Sequence, residues 1–142
     1  MGGTKAYLPS GGFKEQAFES VGTTANGIKI LKRVNGRSST PTFSNTPNTM
    51  YAKKDSNGRV DQISVYGQPE NSRAKRKDID IGHRHYNRDA NGRKTTHFSI
   101  GDVHVHEYRM NSEGIPIRQQ NARKPARKER RLLMVARYGK EK

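Results

Sequence analysis

Apolar and polar positions alternate with a period of two through the middle of the chain, the pattern of half-buried strands. Two such runs, "MYAKK" and "VDQISVYG", flank Asn57-Gly58, a strong short-range hairpin signal. After a polar break, "QPENSRAKRK", the alternation returns in "KDIDIGHRHY", "KTTHFSI" and "VHVHEYRM", separated by "NRDANGR" and by Gly101-Asp102. The spacing predicts an antiparallel meander of about five short strands over residues 49–110. Upstream, Phe13, Ala17, Phe18 and Val21 fall on one side of a helical wheel, which predicts a short helix between glycines. "GIKILKRV" reads as one strand, and the Ser/Thr/Asn/Pro-rich stretch 35–49 as a linker. Near the other end, Pro125 at a helix start and Leu132, Leu133 and Ala136 on one side predict a helix of about 12 residues. The expected class is α+β, mainly β. An N-terminal arm spans 1–48, a β-rich module 49–110 and a basic, helical arm 111–142.

The same alternation makes a specific claim about histidine. All five histidines, His83, His85, His97, His104 and His106, lie within 24 consecutive positions. With Gly101-Asp102 as a two-residue loop, Ile100 would pair with Val103, Phe98 with Val105 and His97 with His106. Phe98, Ile100, Val103 and Val105 would then form the core face, and His97, His104 and His106 the other. A loop centred on Asn91 would bring His85 opposite His97 and add His83 to that face. Plain alternation misplaces Ile79 and Ile81. A bulge at Gly82 restores them to the core and moves Asp80 to the histidines.

Composition changes the picture in two ways. Leu, Ile, Val and Phe make up 23 of 142 residues, about 16%, below the roughly 20% at which a highly charged chain is expected to be disordered. Such a chain is more readily ordered by a large partner than by its own interior. The net charge is +15, unevenly spread: +4 over 1–48, +3 over 49–108 and +8 over 109–142. Basic arms beside a nearly neutral module suit nucleic acid or acidic partners. The expected phosphate contacts are Arg73, Lys75, Arg76 and Lys77 in a basic loop, with Arg123, Lys124, Arg127, Lys128, Arg130 and Arg131 in the C-terminal arm. No apolar run approaches the roughly 20 residues of a membrane span. Neither a signal peptide nor a myristoylation pattern is expected, since Ala stands at position 6. There is no cysteine, so thiolate metal sites and disulfides are excluded.

Three chemistries fit a shared histidine face. Imidazoles on adjacent strands, with Asp80, can ligate zinc, manganese or nickel; the full candidate set is Asp80, His83, His85, His97, His104 and His106. One neutral and one protonated imidazole among His97, His104 and His106 can cleave a phosphodiester, with Arg84 or Lys94 steadying the phosphate. The plainest alternative is a solvated, mildly basic sheet face contacting phosphate or another subunit. No phosphate-cradling Gly loop, dinucleotide fingerprint or serine-nucleophile elbow is present.

The run from Tyr51 to Arg109 resembles a histidine-rich domain found at the end of phage head-morphogenesis (minor capsid) proteins, in prophage proteins and near toxin modules. Asp78, Asp80, His83, His97, His104, His106 and Tyr108 carry the similarity. The resemblance implies a phage or prophage context. The resulting expectation is a basic structural or assembly protein of a virion head or neck. It would dock, in several copies, on capsid, portal or neck and contact nucleic acid or acidic neighbours, in the virion or the host cytoplasm, without a membrane. The alternatives are a small nuclease toxin using the histidines, which leaves enzymatic activity open, and a ribosome-associated protein.

Overall fold

A computed structural model describes residues 3–6, 16–33 and 40–139. Ten strands precede one helix: β1 (Gly3–Ala6), β2 (Gln16–Thr23), β3 (Lys29–Arg33), β4 (Met50–Lys54), β5 (Val60–Tyr66), β6 (Lys75–Asp80), β7 (His85–Arg88), β8 (Lys94–Phe98), β9 (His104–Met110), β10 (Pro116–Arg118) and α1 (Arg127–Tyr138). Eight strands form one mixed sheet in the order β1-β2-β3-β4-β5-β6-β9-β10, while β7 and β8 pair only with each other. The β3–β4 pair is parallel; the other neighbours are antiparallel. The class is therefore α+β, mainly β, as the alternation predicts.

Four connections share one chemistry. At Thr24, Asp55, Asp89 and Asn111 a short polar side chain opens the turn and a glycine stands three residues later. Each opening amide bonds the carbonyl four residues on, and each glycine amide bonds back to the opening carbonyl. The Asp55, Asp89 and Asn111 side chains also accept from two turn amides apiece. The turn requires the left-handed region at its fourth residue, which Gly58 (φ 79°) and Gly92 (φ 81°) supply without a Cβ penalty.

The sheet buries its two faces differently. Ile63, Ile79 and Val105 lie side by side across β5, β6 and β9, all fully buried, and Leu133 and Met134 of α1 pack over them. The next rows on the opposite face are polar: Ser64, Asp78 and His106, then Gln62, Asp80 and His104. Farther along that face, Phe18, Leu31, Tyr51 and Tyr66 make a small apolar cluster. The core-poor chain closes its interior with hydrogen-bonded polar groups. Ser64 Oγ donates to Asp78 (2.6 Å), Tyr108 Oη donates to Asp78 (2.8 Å) and Lys75 Nζ donates to Thr40 Oγ1 (2.6 Å). Satisfied in this way, buried polar groups avoid the cost of orphaned donors and acceptors.

Several expectations are corrected. The segment expected to be a helix around Phe18 and Val21 is strand β2 from Gln16 onward, because β3 offers it a full ladder that two helical turns cannot match; Phe13 lies outside the described residues. The part of the expected linker that is described, 40–49, packs: Thr40, Phe43 and Ser44 are buried and Phe43 bridges to Ala74. The expected basic loop "SRAKRK" is a turn only as far as Arg73; Ala74 bridges to Phe43 and Lys75–Lys77 begin β6. Strands β2 and β3 and helix α1 share the module's sheet and core, so the boundaries at 48/49 and 110/111 do not separate folded units. Gly101-Asp102 closes no hairpin. It belongs to a turn in which the Asp102 amide donates to Ser99 O and the Ser99 amide to Asp102 Oδ2, leaving Ile100 exposed.

The C-terminal helix forms as expected. Glu129 reaches back to accept from the Ala126 amide (2.7 Å), and Gly139 at φ 78° ends the last turn, its amide donating to Val135 O. Glu129 also accepts two bonds from Arg123 (both 2.7 Å) and pairs with Lys77 (2.7 Å), tying the helix to β6. Burial alone would raise the Glu129 pKa. Arg123, Lys77 and the Ala126 amide outweigh it and hold the carboxyl at about 2, below its usual 4.5. A depressed native pKa adds stability that is complete above about pH 4.5 and disappears as pH falls toward 2. Urea unfolding should show Glu129→Gln destabilised by roughly 2–3 kcal/mol at pH 6, with the difference from the parent shrinking as pH is lowered to about 2.5.

Candidate metal centre

The pairing of β6 with β9 sets Asp80 directly opposite His104 and Asp78 opposite His106. Alternation aims all four side chains at one face, since Ile79 and Val105 take the other. The chain then leaves the sheet at Gly82 (φ 94°), whose amide donates to Ile100 O (3.0 Å), and this turn folds His83 back over β9. The β7–β8 hairpin is clamped above by Asn87, which donates to Ala122 O and accepts from the Ala122 amide. Its first residue, His85, rests against His104 and His106 with ring centroids 5.8 and 4.6 Å away.

Asp80, His83, His104 and His106 each direct one ligand atom to a common point, all four atoms lying within 4.8 Å of one another. His83 Nε2 and His104 Nε2 are 3.0 Å apart, His106 Nε2 and Asp80 Oδ2 3.7 Å, and His83 Nε2 and Asp80 Oδ2 4.0 Å. A tetrahedral ion with bonds of 2.0–2.1 Å has ligand–ligand edges of about 3.3 Å, which these separations bracket. The group can hold a metal ion.

The surroundings keep the two buried histidines neutral and raise the carboxyl. His104 Nδ1 lies 3.3 Å from the Asp102 carbonyl, which can only accept, so Nε2 keeps its lone pair for the centre. Arg118 donates to His106 Nε2 (2.7 Å) and so occupies the lone pair an ion would need; His106 Nδ1 is buried without a partner. Burial is the main reason the His104 pKa falls to about 4 and that of His106 to about 3, with Arg118 adding to the fall at both. Both rings are neutral at pH 7. Burial, then the nearby Asp78 carboxylate, raises Asp80 to about 7. Gln62 Nε2 donates to Asp80 Oδ1 (2.8 Å), leaving Oδ2 turned to the histidines.

Five of the six candidate ligands gather here. His83 and His85 are partly exposed, His104, His106 and Asp80 buried, and His85 lies beside the converging atoms with its Nε2 buried and unpartnered. His97 is excluded. The true β7–β8 register pairs His85 with Phe98 and Tyr86 with His97, one residue from the expectation. His97 therefore stacks on Tyr86 (4.6 Å) at the surface, whereas Phe98, expected in the core, packs against His104 (5.3 Å). The basic candidates also divide. Lys75 is buried against Asp78 and Thr40, Lys77 pairs with Glu129, and Arg123 with Glu107 and Glu129; these three are structural. Arg73, Arg76, Lys124, Arg127, Lys128, Arg130 and Arg131 are exposed. Sequence reasoning missed Gln62 and Arg118, which reach the site only through strand pairing.

Compared with known protein families, curated proteins and solved structures, the chain matches none. Among the described residues no helix is long and apolar enough to cross a membrane.

Because Gln62 only orients Asp80, Gln62→Leu should weaken binding of a divalent transition ion by about 10–100-fold, as loss of an outer hydrogen bond does. His104→Ala should weaken it by more, and His97→Ala should leave it unchanged. Isothermal titration with cobalt(II) on the three variants reads all of these.

Proposed function

We propose that this chain is a metal-binding basic docking protein of phage or prophage origin, its centre holding zinc in preference to manganese. The observation that carries the reading is the convergence of three imidazoles and one carboxylate on a single buried point. A nitrogen-rich, four-ligand set suits zinc, whereas manganese favours more oxygen. The phage context rests on the likeness of Asp78, Asp80, His83, His97, His104, His106 and Tyr108 to the head-morphogenesis domain; His97 lies outside the site that the others border. Here the ion would cross-link β6, β9 and the Gly82 turn. The module would dock in a virion head or neck, or on another large assembly in the host.

The exposed cations of α1 and of the segment leading into it supply the contact with nucleic acid or acidic neighbours. Lys124, Arg127, Lys128 and Arg130 are exposed, while Leu133 and Met134 hold the helix to the sheet. A second reading, a metal-dependent nuclease, is favoured by one feature: His83 is about half exposed (49%), so one side of the centre opens to solvent. An ion there could carry a water nucleophile.

Purified protein incubated with plasmid and total RNA, with EDTA or with added zinc or manganese, separates the readings. Bound metal with intact nucleic acid supports docking. Cleavage abolished by His104→Ala supports the nuclease, and absence of bound metal refutes the centre. Substituting Lys124, Arg127, Lys128 and Arg130 with Gln should reduce the slope of log affinity against log salt for DNA by about 0.9 for each phosphate that is no longer neutralised.

A further inference from the structure

Arg118 is the one charged group at the centre that a metal ion does not explain. Strand β10 pairs with β9 so that Arg118 stands opposite Tyr108 and its guanidinium reaches across to His106 Nε2 (2.7 Å). That neutral ring is the partner shown for it, and no ion pair joins Arg118 to a carboxylate among the described residues. Asp78, on the same face of the sheet, is already committed to Lys75, Ser64 and Tyr108.

A cation at this point would take the His106 lone pair that Arg118 now occupies. The guanidinium would then turn its donors elsewhere, beside a divalent charge. Asp80 offsets one charge, so two positive charges would remain uncompensated in a largely buried setting, an arrangement an anion relieves. We propose that the ion and Arg118 together bind a phosphate group, one oxygen joining the four protein ligands as a fifth on the metal and another on the guanidinium fork. This deepens the metal reading and rests on it.

The guanidinium of Arg118 specifies the anion further. Arg88 and Lys94 of the β7–β8 hairpin have other partners: Arg88 donates to Gly92 O and Lys94 lies over the Tyr86 ring, on the face that carries His97. A phosphate presents oxygens in several directions, so one can reach the ion while another meets the guanidinium fork. Helix α1 packs on the opposite face of the sheet, so this site is separate from its exposed cations.

Cobalt(II) replaces the unidentified ion as a spectroscopic probe in the full chain. Inorganic phosphate and a short single-stranded oligonucleotide are titrated separately while the visible absorption band is followed. The wild type should show a saturable spectral change with at least one of them. Arg118→Gln should bind cobalt(II) no more weakly yet lose about tenfold or more in affinity for the same probe, and Arg118→Lys should recover part of that loss, because it restores charge without the fork. A response to inorganic phosphate alone marks free phosphate as the ligand, and a tighter response to the oligonucleotide marks a polymer. Cobalt bound without a response to either probe, or an undiminished response in Arg118→Gln, overturns the phosphate site and leaves the metal centre standing. No bound cobalt in the wild type overturns both.

Discussion

The antiparallel ladder between β6 and β9 is the constraint on which the rest depends. Its four pairs place Ile79 against Val105 on one face and Asp78 and Asp80 against His106 and His104 on the other. A slip of one residue would exchange the faces, burying carboxylates under α1 and turning isoleucine toward the histidines. Core and site are two sides of one register, so neither can be altered independently.

That register also explains how a chain with few aliphatic residues closes its interior. The apolar face is narrow and needs one helix to cover it. The polar face is buried because each group on it finds a partner: Thr40 with Ser64 and Lys75, Ser64 and Tyr108 with Asp78, Gln62 with Asp80. Such a network is stable only when complete, since a lone buried carboxylate or ammonium costs several kcal/mol. Among the described residues the remaining gaps on this face lie at the histidines, where His85 Nε2 and His106 Nδ1 have no partner and Arg118 makes no ion pair. Unmet polar demand gathered in one place marks that place for a ligand.

The positive charge is divided by the fold into different jobs. Lys75, Lys77 and Arg123 neutralise buried or helix-capping acids and are unavailable to a partner. The α1 cations lie on one side of the sheet and the basic hairpin with Arg118 on the other. A polyanion engaging both would have to pass around a sheet edge, which makes two separate contacts the simpler arrangement.

Local chemistry decided what could be read from the chain directly. Asn57-Gly58 specifies its turn whatever surrounds it, period-two alternation sets Asp80 apart from Ile79 and Ile81, and His104 and His106 must share a face because they are two apart in a strand. Pro125 marks the helix start for an equally local reason. Long-range pairing decided the rest. Strand β9 could meet β8 across a short loop or β6 across 20-odd residues, and sequence proximity favours the wrong choice; burial of Ile79 against Val105 selects β6. The same selection ejects His97, recruits Gln62 and Arg118 from distant strands and turns the stretch around Phe18 into a strand. Those outcomes depend on which surfaces meet, and alternation along a single strand carries no information about its neighbour.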